Sequence, residues 1–144
     1  MDLSYVGRNQ SETRRLAELV GKLSQADLDR SLGEGWTVNA ALAHLAFWDR
    51  YAVALLEGWG TGGFQPVAAS ADHINTASLN GWLALPAEYV LREVVAAAEA
   101  ADHAATSVAP DLAEDIADGG RSRILDRTGH RSQHIAQIQA ALNT

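Results

Sequence analysis

Apolar residues recur along this chain at the spacing of an α-helix, and this periodicity restricts the fold more than any other feature of the sequence. Leu16, Leu19 and Val20 share one face of the first segment, and a longer stripe of the same kind runs over residues 38–56. Residues three and four apart lie on one side of a helix, whereas a half-buried strand needs strict alternation. Alanine is abundant and β-branched residues are scattered, which also favours helix. The pattern therefore predicts an all-α protein.

Glycine and proline divide the chain into helical segments of different length. Thr37 is predicted to cap the second helix, Pro86 to open the fourth, and the glycine-rich residues 58–70 to form a loop. The helices are expected over residues 3–22, 37–57, 72–83, 86–107 and 122–142. Together they predict a bundle of four main helices, with residues 1–144 as a single domain because a chain of this length suits one core.

The composition excludes several classes of function. The chain has no cysteine, so disulfides, thiol nucleophiles and cysteine-bearing zinc sites are excluded, and a transition metal would need histidine or carboxylate ligands. A net charge of −7 with a single lysine gives no basic face for nucleic acid. No stretch approaches the roughly 20 apolar residues of a membrane span, and the first residues lack the features of a signal peptide. A cytoplasmic protein without nucleic-acid or membrane partners is expected.

Two histidines stand four residues apart near the end of the chain. His130 and His134 lie on one face of the last predicted helix, about 40° apart, so both imidazoles can reach one ion. A zincin-type protease would carry glutamate directly after the first histidine, and Arg131 occupies that position here. His44 lies at the edge of the apolar stripe of the second helix. The three histidines form either a shared metal site or one core-edge and two surface side chains.

Three segments of the sequence resemble the DinB-like (DinB/YfiT) superfamily. Residues 36–49, with sequence WTVNAALAHLAFWD, are similar to its tryptophan-then-His-Leu helix. The similarity continues through residues 72–75 and Trp82, and residues 129–138 resemble the closing helix with its His-x3-His-x2-Gln-Ile pattern. The segments occur in the order and with the spacing of that superfamily. The resemblance implies a four-helix bundle.

The resemblance also implies a function. Its metal ligands fall on His44, His130 and His134 in this chain. Three neutral imidazoles without a fourth protein ligand leave a position open for water or substrate, and such a set suits zinc, nickel or iron. The implied activity is attack of a low-molecular-weight thiol or water on a small electrophilic substrate, as in a thiol transferase or a hydrolase. The alternative is a non-enzymatic protein that binds or sequesters a small molecule. A homodimer is also expected.

Four further residues are predicted to border this site. Trp48 and Tyr51 lie one and two turns from His44, and Asn75 is predicted to hydrogen-bond between helices. Asp49 falls within an apolar stripe and is predicted to accept the second N–H of a ligand histidine. A buried ion pair with a nearby arginine is the alternative for Asp49. The sequence predicts no particular catalytic base.

Overall fold

The computed structural model describes residues 3–143 and is predominantly helical. In chain order its elements are α1 (Tyr5–Val20), α2 (Gln25–Leu28), β1 (Ser31–Gly33), β2 (Trp36–Thr37), α3 (Val38–Gly62), α4 (Ala71–Ala84), α5 (Ala87–Thr106), α6 (Pro110–Asp118), α7 (Ser122–Leu125) and α8 (Thr128–Leu142). The helical bundle predicted from the apolar periodicity is confirmed. A small antiparallel hairpin of β1 and β2 is an addition that the all-α prediction did not include.

The core lies between the long helices. α3 packs most extensively on α5, while α1 packs on both α5 and α8, and α3 also contacts α4 and α8. The stripe predicted for the second helix faces this core, with Leu42, Leu45 and Ala52 fully buried. Ile135 and Ile138 bring the apolar side of α8 against it. α8 therefore packs into the same core as α3.

Local signals in the sequence fix where the first helices begin. Ser24 and Asp27 form a reciprocal capping box at α2, and the Thr37 hydroxyl accepts a hydrogen bond from the Ala40 N–H at the start of α3. Between the two helices the chain turns through Gly33 and Gly35, with φ of +94° and +84°. Glycine adopts this left-handed backbone without steric penalty. The turn closes the hairpin that leads into α3.

Two predicted boundaries are wrong. α3 does not end near residue 57 but continues to Gly62, so the glycine-rich segment is helical in its first part. Tertiary packing overrides the weak helix propensity there, because Trp59 lies in the second apolar cluster of the protein. The last predicted helix is interrupted: α7 ends at Leu125, and α8 starts at Thr128.

The interruption is held by a side chain from the other end of the sequence. Asn9 of α1 donates through Nδ2 to the Leu125 carbonyl (2.8 Å) and accepts through Oδ1 from the Arg127 N–H (2.9 Å). Asp126 accepts from the Thr128 N–H (3.1 Å), so it satisfies one free amide at the start of α8. This break sets the position of the first turn of α8, which carries His130.

No helix in residues 3–143 is both long and apolar enough to cross a membrane.

Candidate metal centre

Three histidines converge where α3 meets α8. One nitrogen from each of His44, His130 and His134 lies within 4.8 Å of the other two, and the Nε2 atoms of His44 and His130 are 3.0 Å apart. Two nitrogens bound tetrahedrally to one zinc ion at its usual bond length lie about 3.3 Å apart. The histidines predicted as ligands are therefore brought together at a separation that one ion can bridge. Within the described residues, no cysteine or carboxylate completes this group.

His44 is enclosed by aromatic rings. It is 7% exposed, and its ring meets those of Trp36 and Trp82 edge-on at centroid distances of 5.5 and 5.4 Å. The Nδ1 atom is buried and has no hydrogen-bond partner, while Nε2 points to His130. Packing between tryptophans thus fixes the direction of the ring, and Nε2 is the atom that faces the other histidines.

His134 has the hydrogen bond expected of a metal ligand. Its Nδ1 lies 3.0 Å from Oε1 of Gln137, one turn along α8. The amide oxygen can only accept, so Nδ1 of His134 is the donor. A neutral imidazole carries one proton, and with that proton on Nδ1 the lone pair of Nε2 is free for an ion.

His130 has the opposite hydrogen bond. Nη2 of Arg127 lies 3.2 Å from Nδ1 of His130, and a guanidinium has donors but no acceptor. Nδ1 of His130 therefore accepts. Ligand histidines usually donate from this second nitrogen to a carboxylate, a carbonyl or water. The three imidazoles suit a divalent transition metal, but the arginine at His130 departs from the usual surroundings of such a site.

All three histidines have pKa values below the ordinary value. Burial lowers the pKa of His44 to about 4, with a further contribution from charge on His134. Burial also lowers the pKa of His130 to about 2, and the positive charge of Arg127 adds to the effect. Burial lowers the pKa of His134 as well. The cluster is therefore neutral at pH 7, which is the state that binds a metal.

A balanced ionic network lies behind the histidines. Asp49 accepts from Nε of Arg127 (2.8 Å) and from Nε of Arg131 (3.3 Å), and Arg131 also donates to Asp102 (2.7 Å). Two carboxylates thus face two guanidinium groups, and Asp49 and Arg131 are fully buried. The sequence predicted that Asp49 accepts a hydrogen bond directly from a ligand histidine, and this prediction is wrong. Asp49 instead forms the buried ion pair that was the alternative. Its connection to His130 among the described contacts runs through Arg127.

A cavity of about 670 Å³ opens beside the cluster. Its described lining residues come from α3, α4, α7, α8 and the segments beside them: His44, Trp48, Ala71, Asn75, Ser122, Arg123, Asp126, Arg127, Gly129, His130 and Gln133. The indole N–H of Trp48 donates to Oδ1 of Asn75 (2.8 Å), which ties α3 to α4 across the cavity wall. Tyr51 packs edge-on against Trp48 and is not among the described lining residues.

Sequence reasoning missed the arginines of this site. Arg127 touches His130, and Arg123 lines the cavity and accepts through its carbonyl from the Arg127 guanidinium (3.0 Å). A usable signal existed, because Arg127 stands three residues before His130 and seven before His134, positions that share a helix face. The predicted ligands came from the histidine spacing and the superfamily resemblance, and an arginine was predicted only as the alternative partner of Asp49, with no particular arginine named.

Residues 10–127 match the profile of a protein family described as the mycothiol maleylpyruvate isomerase N-terminal domain. The matched range includes His44, Asp49 and Asn75 but ends before His130 and His134. For His130 and His134 the candidate metal site therefore rests on the geometry of α8 and not on the family match. No curated protein and no solved structure shows significant similarity to the chain.

Proposed function

Because the chain belongs to the mycothiol maleylpyruvate isomerase N-terminal domain family, part of the DinB/YfiT-like superfamily of metal-binding helical proteins, we propose that it is a metal-dependent enzyme acting on a small electrophile. The observation that carries this proposal is the cluster of three neutral histidines beside a cavity large enough for a small molecule. With no fourth described protein ligand, a coordination position remains for water or substrate, which is typical of catalytic sites.

The residues of the site have distinct roles in this proposal. His44, His130 and His134 would hold a divalent transition metal, with zinc, nickel and iron as the candidates. Such an ion lowers the pKa of a bound thiol or water, so that the nucleophile is available near neutral pH. Trp48 and Asn75 form a fixed wall against which the electrophile lies. The chain contains no cysteine, so a nucleophilic thiol comes from a low-molecular-weight co-substrate.

Metal content tests the site itself. Protein purified without a histidine tag should contain one equivalent of transition metal, and His130→Ala should lower that content to near zero because two imidazoles hold an ion weakly. His103→Ala is the matched control, since His103 is an exposed histidine on α5 outside the cluster. Equal metal content in wild type and His130→Ala would contradict the assignment.

Turnover tests the chemistry. We expect the metal-loaded protein to consume a small electrophile, alone or with a low-molecular-weight thiol, and a chelator to abolish that activity. The family description names a mycothiol maleylpyruvate isomerase, which makes mycothiol and similar thiols the first to screen. Activity that survives complete removal of metal would exclude the proposed mechanism.

A non-enzymatic binding protein is the second candidate, and the state of the nearby carboxylates favours it. Asp126, the one described acid that lines the cavity, is paired with Arg8 (2.8 Å) and accepts from the Thr128 N–H. Asp49 is paired with two arginines. No described carboxylate is thus free to act as a general base beside the cluster. Tight binding of a thiol or electrophile to the metal-loaded protein without turnover would support this candidate over the enzyme.

A further inference from the structure

We propose that Arg127 is a positioning residue that weakens metal binding at His130, and that Asp49 offsets this effect. The inference rests on the metal site proposed above. It follows from the contacts of one guanidinium group, which touches a predicted ligand on one side and a buried carboxylate on the other.

The hydrogen bond between Arg127 and His130 has the wrong polarity for a metal ligand. Nη2 of Arg127 donates to Nδ1 of His130 (3.2 Å), whereas a ligand imidazole usually donates from that atom. In the same cluster, Nδ1 of His134 does donate, to Gln137 (3.0 Å). Nδ1 of His130 therefore faces a hydrogen-bond donor, and Nδ1 of His134 faces an acceptor. The contact with Arg127 therefore disfavours metal binding through Nε2 of His130, whereas the contact with Gln137 favours metal binding by His134.

The arginine cannot easily turn away from His130. Its Nε atom is bonded to Asp49 (2.8 Å) and its Nη1 atom to the Arg123 carbonyl (3.0 Å), and the side chain is only 8% exposed. Together with the contact to His130, the guanidinium group of Arg127 is thus held by three hydrogen bonds. A guanidinium fixed in this way keeps both its donor and its positive charge beside the ligand set, and charges at such distances in a buried site interact strongly.

Asp49 neutralises this positive charge. The network contains two carboxylates and two arginines, and Arg131 keeps Asp102 as a partner at 2.7 Å if Asp49 is neutralised. Loss of the Asp49 charge therefore leaves Arg127 without a counter-ion close to the cluster. Replacement of Arg127 by the shorter, neutral glutamine instead removes the guanidinium donor at His130 and the repulsion of a divalent ion.

The two substitutions should consequently change metal affinity in opposite directions. We expect Arg127→Gln to bind Zn²⁺ about tenfold more tightly than the wild type and Asp49→Asn to bind it about tenfold more weakly, within the range typical of residues that contact metal ligands. Zn²⁺ affinity is measured by competition with a chromogenic chelator, after circular dichroism has verified the fold of each variant. If the pair served only to hold His130 in place, both substitutions would weaken binding.

Two further variants complete the test. Arg123→Gln removes the same charge from the wall of the same cavity without touching a histidine, and we expect its affinity to change about twofold or less because exposed charges are screened. If Arg127→Gln fails to fold, the double variant Asp49→Asn with Arg127→Gln keeps the network neutral. It should bind Zn²⁺ at least as tightly as the wild type, and weaker binding would overturn the inference.

Failure of this inference can be separated from failure of the proposed function. If the wild type binds Zn²⁺ and Arg127→Gln binds it no more tightly, only the role of Arg127 is wrong. If neither protein binds Zn²⁺, the metal site and the inference both fail. Binding by Arg127→Gln without binding by the wild type would support the inference in its strongest form.

Discussion

At the scale of single residues, the interior of this bundle contains charges whose partners lie far away in the sequence. Arg131 is fully buried, yet it donates to Asp49 on α3, to Thr13 on α1 and to Asp102 on α5. Within α8 the residue falls between two predicted ligands, and its neighbours along the chain give no indication of burial. Asp49 was predictable as a buried acid because it lies in an apolar stripe. Its partner was not, because several late arginines were equally available.

The lowered pKa values of single histidines predict a pH dependence of stability for the metal-free protein. His44 has a folded pKa of about 4, below the ordinary value near 6.5, so the unfolded chain binds more protons between these limits. The free energy of unfolding should therefore fall as the pH is lowered through this window and be fully retained above it. Each histidine of this kind contributes up to about 1.4 kcal/mol per pH unit.

Urea unfolding between pH 7 and pH 4 measures this effect. His44→Gln should show a shallower dependence than the wild type, since it removes one of the three histidines whose pKa is lowered. His103→Ala, which replaces an exposed histidine outside the cluster, serves as the control. Identical slopes for wild type and His44→Gln would show that burial of His44 does not govern its protonation.

At the scale of elements, the sequence predicted most helices, because helices are specified by local periodicity and caps. It missed the break between α7 and α8, since the apolar stripe continues through it. The break depends on Asn9, whose two hydrogen bonds to Leu125 and Arg127 span 116 and 118 positions. Contacts between residues so far apart in the sequence do not alter the local periodicity of apolar residues. The histidine pair on α8 could thus be predicted to share one helix face, whereas the placement of that helix could not.

Asn9→Ala should reveal the importance of this contact. The substitution leaves the Leu125 carbonyl and the Arg127 N–H without their partner in a buried place, and we expect a loss of about 1–3 kcal/mol in the free energy of unfolding. Gln10→Ala, at the exposed neighbouring position, should change it by less than about 0.5 kcal/mol. Equal stability of the two variants in urea unfolding would show that the break forms without Asn9.

At the scale of the whole molecule, the site lies at the junction of helices that pack in one bundle, so metal binding and folding should be linked. An ion that binds only the folded state raises its stability by about 2.7 kcal/mol at a concentration of 100 times the dissociation constant. The fold class was predictable from the sequence, and so were the residues that the bundle brings together at the cluster. The cavity was not, because its walls come from three separate stretches of the chain.

Thermal unfolding measures this linkage. Zn²⁺ added to metal-free protein should raise the Tm by roughly 5–10 °C at that concentration, given the usual entropy of unfolding for a chain of this size. Mg²⁺ should have no such effect, because it prefers oxygen ligands. His134→Ala should lose the response to Zn²⁺, and an undiminished shift in that variant would place the bound ion elsewhere.

The spacing of the ligands along the chain has a further consequence. His44 and His130 are 86 positions apart, and the segment of residues 63–70 between α3 and α4 separates them. A cut in that segment would leave His44 on one fragment and His130 with His134 on the other. Neither fragment would hold three imidazoles by itself. Zinc binding would then report the reassembly of two fragments, which makes the chain a natural candidate for a metal-dependent split-protein system.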